Sequence, residues 1–377
     1  MLKFNKKIII FSIPVLIFLV IPFVILTKTS EVNSNIDELN LDSQKYLIGY
    51  TYNEDNYKYL KYKRASEKRF DVMALGSSRV LQFRKEMFKT SFYNAGFTIK
   101  GLNDYKDFLK LIPKSKLPTY LIIGLDQWMF NASWDNLESN NFQREQFINN
   151  KSSKFSLGFT NYNLVYKDIF KKKITFSSLS TKKSSYIPVG LNARINSTGF
   201  RNDGSMYYGN QINKLLISDT SAEDYLYQDT FTRIENGNRR FEYANVINLK
   251  ALEVLNELLS YCHQRNIKVV AILPPFADKV YDKMISSNNY NYIQEISPKI
   301  TPIFKKYNFE VFQFNTVRIC NSSDNETIDG FHGGEKTYLK MLIKILEKGS
   351  ILNNSCDLEK LREDLNNSIN NYLVYDY

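Results

Sequence analysis

Histidine is nearly missing from this 377-residue chain, which holds two, His263 and His332. They stand about 70 positions apart with no His-x-x-x-His spacing, so no plausible ligand set for a catalytic zinc forms around them. Cysteine is scarce too. Cys262, Cys320 and Cys356 show no metal-ligand spacing, allow at most one disulfide and leave one thiol over. Nothing in their setting supports a thiol mechanism. No metal and no cofactor is expected. Basic clusters are also lacking. The net charge is +11 and the pI near 9.2, but the lysines and arginines are scattered and sit on no nucleic-acid motif. That leaves two readings of the charge: a surface facing anionic lipid or an anionic polymer, or simple solubility of a tethered domain.

The third scarcity is long apolar runs. There is one, IIIFSIPVLIFLVIPFVILT from Ile8 to Thr27, preceded by Lys3, Lys6 and Lys7. About 20 apolar residues in a helix cross a bilayer core of roughly 30 Å. A signal peptide has a shorter core and a small-residue cleavage site, whereas TKTSEV follows here. The run reads as an uncleaved anchor over 1–29. The three lysines are expected on the cytoplasmic side, which places the rest of the chain outside in a single-pass topology. Residues 30–66 read as a stalk, 67–348 as the folded domain, 130–243 as a large insertion within it, and 349–377 as a tail.

Within 67–348 short apolar runs alternate with helical patterns. FDVMAL (70–75), SFYNA (91–95), TYLIIGL (119–125), KVVAILPPF (268–276) and EVFQFN (310–315) read as strands. Helices are expected at about 102–112, 244–265, 290–307 and 335–347. In the second of these Val246, Leu249, Leu252, Leu255 and Leu259 recur at helical spacing. Strand–helix alternation predicts βαβ units, a mainly parallel five-stranded sheet with helices on both faces, and a flavodoxin-like three-layer sandwich. Ligands bind such sheets at the carboxyl ends of the strands.

Those ends carry the chemistry. Gly76-Ser77-Ser78-Arg79 follows strand one, Asn94-Ala95-Gly96 strand two and Gly124-Leu125-Asp126-Gln127 strand three. Asp329-Gly330-Phe331-His332 precedes the last helix. His263 lies mid-helix and reads as a surface residue. A serine hydroxyl becomes a useful nucleophile when an imidazole takes its proton, and a carboxylate must hold that imidazole in the right tautomer. A tetrahedral oxyanion needs preorganised N–H donors. Glycines at 76 and 96 would let the backbone approach the reacting atom.

In this order the motifs resemble the SGNH (GDSL-type) hydrolase superfamily. The likeness spans roughly 68–126 and 244–347. It implies Ser78 as nucleophile, His332 as base and Asp329 as its partner, with the Ser78 and Gly96 amides in the oxyanion hole. The chain also resembles anchored proteins of surface-polymer O-acylation and teichoic acid D-alanylation. That implies a glycan or anionic polymer as substrate and a membrane-bound O-acyltransferase as partner. On this reading the chain is an enzyme of ester hydrolysis or acyl transfer; the alternative is a non-catalytic docking protein of the same fold. One position departs from the pattern: Asp126 stands where the superfamily has an Asn amide donor. Asp126 could be protonated, pair with Arg79, leave the donor's part to Gln127, or simply cap a turn. Asn94 is a further candidate substrate contact. In GFRNDGSMYYG (199–209), Arg201, Asp203, Tyr207 and Tyr208 could face a sugar or form an ordinary surface loop.

Overall fold

The computed structural model describes residues 2–32, 36–135, 137, 142–149, 159–175, 177–179 and 184–377. Parts of the expected insertion, 138–141 and 150–158 among them, lie outside the described residues. Among the described residues nine strands occur: β1 (Tyr46–Ile48), β2 (Val72–Leu75), β3 (Phe92–Asn94), β4 (Tyr120–Gly124), β5 (Ile187–Val189), β6 (Thr198–Phe200), β7 (Met206–Tyr208), β8 (Lys268–Leu273) and β9 (Glu310–Gln313). The fold is α/β and divides into two compact units.

One unit comprises residues 1–56, 149–202 and 206–210. It holds the helix Leu2–Lys28, whose stretch Phe11–Lys28 has a mean hydropathy of 2.3. Among the described residues this is the one helix long and apolar enough to cross a membrane. A mixed four-stranded sheet, ordered β5-β1-β6-β7, belongs to the same unit. Here the expectation of a stalk over 30–66 is corrected. β1 is hydrogen-bonded parallel to β5 and antiparallel to β6, and Leu47 and Ile48 are buried. The scarcity of apolar residues in that stretch hid a strand of three.

The other unit comprises residues 57–148, 203–205 and 211–377. Its five parallel strands run in the order β3-β2-β4-β8-β9, so the first strand of the sheet lies between the second and the third. Side chains alternate across a strand. Met73, Leu75, Leu121, Ile123, Val269 and Ala271 face a core shared with the helices Leu102–Leu111, Leu249–Gln264 and Tyr292–Lys306. Val72, Ala74, Ile122, Val270 and Ile272 face another, shared with the helices Glu335–Glu347 and Leu358–Asn366. Each fully buried Leu or Ile contributes about 1.5–3 kcal/mol. The last of these helices, with buried Leu361 and Val374, shows the tail to be part of the core.

All five expected strands are present, trimmed at their ends. The helix expected over 244–265 begins later, at Leu249, where the Asn248 side chain accepts from the Lys250 amide. Val246 and Leu249 are exposed, and the buried face is Ala251, Val254, Leu255, Leu258, Leu259 and Cys262. His263 is exposed in the last turn of this helix.

Candidate functional site

β2 ends at Gly76, and the chain turns at once into a short 3-10 segment, Ser78–Val80. Ser77 shapes the turn, its Oγ accepting from the Arg79 amide at 3.2 Å. Val80 then drops between three strand ends. A Cβ on Gly76 would come within 2.9 Å of Val80 Cγ1 and one on Gly96 within 2.7 Å of its Cγ2, with Gly124 closer still. The three glycines of the motifs therefore make room for Val80; this corrects the expectation that Gly76 and Gly96 bring backbone to a reacting atom. Ser78 is left half-buried at the carboxyl end of the sheet.

The second half of the site is the loop before the helix Glu335–Glu347. Its ends are pinned by an isolated bridge between Thr327 and Gly333 and by the Ile328 amide on the His332 carbonyl. Inside the loop, Asp329 Oδ1 accepts from the Phe331 and His332 amides, each at 2.9 Å. Asp329 Oδ2 lies 2.7 Å from His332 Nδ1, and His332 Nε2 lies 2.8 Å from Ser78 Oγ. A carboxylate at Nδ1 fixes the proton there and leaves Nε2 as acceptor for the serine hydroxyl. Burial opposes the Asp329 carboxylate, but the His332 ring and the two amides outweigh it and hold its pKa below the usual carboxylate range.

Arg79 ties these loops together from behind. It is 1% exposed, with Nε donating to the Phe331 carbonyl at 2.9 Å, one terminal nitrogen to Gln127 Oε1 at 2.7 Å and the other to the Pro274 carbonyl at 2.7 Å. Its guanidinium lies over Trp128 and Phe276. Asp126 is 3.7 Å from Arg79, so the pairing proposed from the sequence is present. Asp126 is fully buried, and neither of its oxygens has a hydrogen-bond partner. The Ser77 hydroxyl comes near enough to favour the anion without reaching hydrogen-bond geometry. Desolvation pushes the Asp126 pKa up, and the charge of Arg79 pulls it back in part.

The raised value has a sign that can be measured. The folded carboxyl holds its proton more tightly than the unfolded one, so wild type loses stability as pH rises through the window from the unfolded to the folded pKa. In that window the loss relative to Asp126→Asn is about 1.4 kcal/mol per pH unit. Urea unfolding of both proteins at a series of pH values above about 4 checks this; a pH-independent difference between them would rule it out.

Several expected contacts are corrected. The Gly96 amide, expected in an oxyanion hole, donates to Asn94 Oδ1 at 2.9 Å. Gln127 cannot complete the hole, since its oxygen accepts from Arg79 and its nitrogen donates to Pro274 and Asn315. Asn94 is 0% exposed and donates to the Val80 and Phe83 carbonyls, which makes it a brace of the turn that carries Ser78. Asp203 is also buried, bound to the Lys85 amide, to Ser205 and, at 3.4 Å, to Arg84. Arg201, in the other unit, donates to the Met206 carbonyl and lies over the Tyr207 ring. Among the described residues the Ser78 amide donates to no acceptor.

The sequence reading missed four side chains that build the site. Tyr338 donates to the Arg79 carbonyl. Glu335 accepts from Arg84 at 2.6 Å and from the Val374 amide, which locks the segment after Ser78, the helix Glu335–Glu347 and the tail together. Asp224 accepts from the Gly330 amide at 3.0 Å and steadies the histidine loop. Asn315 was findable, as a polar residue at the end of β9. Asp224 was not, because nothing in the 130–243 segment marks its partner. All three cysteines are free and buried, and burial pushes each thiol up to about 12. Among the described residues no group of three His, Cys, Asp or Glu side chains could hold a metal ion. Comparisons with protein-family models and with curated proteins find no match.

Proposed function

We propose that the chain is a serine-dependent enzyme of acyl transfer or ester hydrolysis. The observation that carries this reading is the unbroken chain Ser78 Oγ, His332 Nε2, His332 Nδ1, Asp329 Oδ2, with contacts of 2.8 and 2.7 Å. In the reaction His332 takes the Ser78 proton as Oγ attacks the acyl carbonyl. The Ser78 amide donates to the oxyanion. His332 then gives the proton to the departing alcohol, leaving acyl-Ser78. Water or a polymer hydroxyl releases the acyl group by the same steps reversed. Four motifs in order and a sheet ordered second-first-third-fourth-fifth support membership of the SGNH superfamily, in a flavodoxin-like sandwich.

The setting of the reaction follows from the N-terminus. With the helix Leu2–Lys28 as anchor and Lys3, Lys6 and Lys7 held inside, the folded units lie on the outer face of a cell membrane. Substrates there are surface glycans or anionic polymers, and a membrane-bound O-acyltransferase is a suitable donor or partner. A second reading, a docking protein that has kept the fold, draws on the hole: Gly96 and Gln127 are engaged elsewhere and Asp126 is acidic. A fluorophosphonate probe separates the two. The full chain in detergent is expected to react, with the reaction lost in Ser78→Ala and His332→Ala. A folded wild type that does not react points to docking.

A further inference from the structure

Near the histidine loop the backbone is strained over two residues. Arg239 and Arg240 have φ of +54° and +80°, in the left-handed region that arginine seldom occupies. Strain of this kind persists where surrounding contacts over-determine it, and it concentrates at functional sites. The contacts are present. Phe241 is buried between Phe276 and Phe331, its carbonyl accepts from Tyr290 Oη at 2.8 Å, and the Glu242 carbonyl accepts from Asn131 at 2.6 Å.

This bend puts the Arg240 guanidinium over the Trp128 ring, 5.3 Å from its centroid. Arg79 lies against Trp128 as well, and Trp128 meets Phe331, the neighbour of His332. The charge of Arg240 is felt at both Arg79 and Asp126. Its neighbours differ from it in one respect. Arg233 and Arg239 both pair with Asp229, whereas among the described residues no carboxylate lies within ion-pair distance of the exposed Arg240 guanidinium; the Glu242 carboxylate accepts from the Arg240 backbone amide instead, at 3.3 Å.

We infer that Arg240 is a specificity-determining residue that binds an anionic group of the polymer, a carboxylate or a phosphodiester, beside the acyl site. The inference rests on the acyl-transfer reading for its purpose and deepens it by naming the substrate as anionic. A guanidinium without an ion-pair partner is a ready donor for such a group, bidentate toward carboxylate or phosphate. The Trp128 face beneath it keeps it in place, while the strained turn that sets it there also carries Phe241 into the core. A cation there sorts substrates by charge, which a bare Ser-His-Asp set cannot do.

The test reads binding as well as turnover. The full chain in a neutral detergent is titrated with a galacturonate trisaccharide, a glycerol-phosphate trimer and a neutral galactose trisaccharide, following tryptophan fluorescence. One anionic probe is expected to bind, and which one names the source of the charge. Arg240→Gln should weaken that binding by about tenfold or more, the scale of one charge-assisted contact. Arg240→Lys should fall between, and the neutral probe should not change. Arg240→Gly, which removes the left-handed strain, guards against a folding defect and is expected to lose anion binding while its melting temperature holds. Anion binding unchanged in Arg240→Gln and Arg240→Gly, or equal losses for charged and neutral probes, overturns the inference. Loss of anion selectivity with Ser78 still reactive toward fluorophosphonate supports it. A protein with unreactive Ser78 but Arg240-dependent anion binding refutes the acyl-transfer reading alone.

Discussion

Replacing Asp329 with Asn is expected to lower turnover of an acyl ester by about 10⁴-fold while leaving the protein folded. The reason lies in which atom each bond uses. Asp329 Oδ1 accepts two backbone amides and Oδ2 meets His332 Nδ1. An asparagine keeps its oxygen on the amides, because an NH₂ group cannot accept from them. Its nitrogen then faces His332 Nδ1 as a donor and forces that ring nitrogen to accept. The ring proton moves to Nε2, which can no longer take the proton of Ser78. Geometry survives and the base is lost. Ser78→Ala and His332→Ala should each cost at least as much, and pairs of these changes little more than one, because the three side chains act as a unit. Steady-state hydrolysis of p-nitrophenyl acetate, with melting temperatures alongside, checks all of this. Losses that simply multiply across pairs would mean that the residues do not work together.

Arg79→Ala is expected to cost about 3–5 kcal/mol of stability, the range for removing one partner of a buried ion pair. The Phe331 carbonyl and Gln127 Oε1 would lose their donor in the interior, and the Pro274 carbonyl would keep only Gln127 Nε2. Asp126, already short of hydrogen bonds, would lose the largest of the charges that offset its burial. The two contributions can be separated. Adding Asp126→Asn to Arg79→Ala should recover part of the loss, because the uncompensated carboxylate is then gone. Urea unfolding of wild type, both single variants and the double closes the cycle. Full additivity would mean that Asp126 and Arg79 do not depend on each other.

How much of this could be read from the sequence differs by layer. The five parallel strands were legible because each is a short apolar run ending at a turn, as in VMALG over 72–76, LIIG over 121–124 and the Pro274-Pro275 pair after 268–273. The order of the motifs marked Ser78, Asp329 and His332, since a serine just past a strand and an Asp-x-x-His ahead of the last core helix leave a pattern in residue type. Hydrogen-bond partners leave none. Asn94 and Gln127 looked like substrate or oxyanion contacts because they are polar and sit at strand ends, yet each spends its side chain on backbone carbonyls. Asp203 and Arg201 read as sugar contacts because bidentate groups beside two tyrosines in a turn-rich segment suit carbohydrate, and both are engaged within the protein. β1, β5, β6 and β7 escaped notice because these three-residue strands sit in polar stretches with no strand–helix alternation around them, unlike the equally short β3. The left-handed turn at Arg239 and Arg240 escaped because nothing in residue type announces an arginine with positive φ.

The central claim is that Ser78 is an activated nucleophile. Its most direct measurement is to treat the full chain with a fluorophosphonate, digest it and map the phosphonylated residue by mass spectrometry. The account predicts one modified residue, Ser78, and no modification of it in His332→Ala. Modification at Ser77 or at another hydroxyl, or none at all in a folded protein, would contradict it.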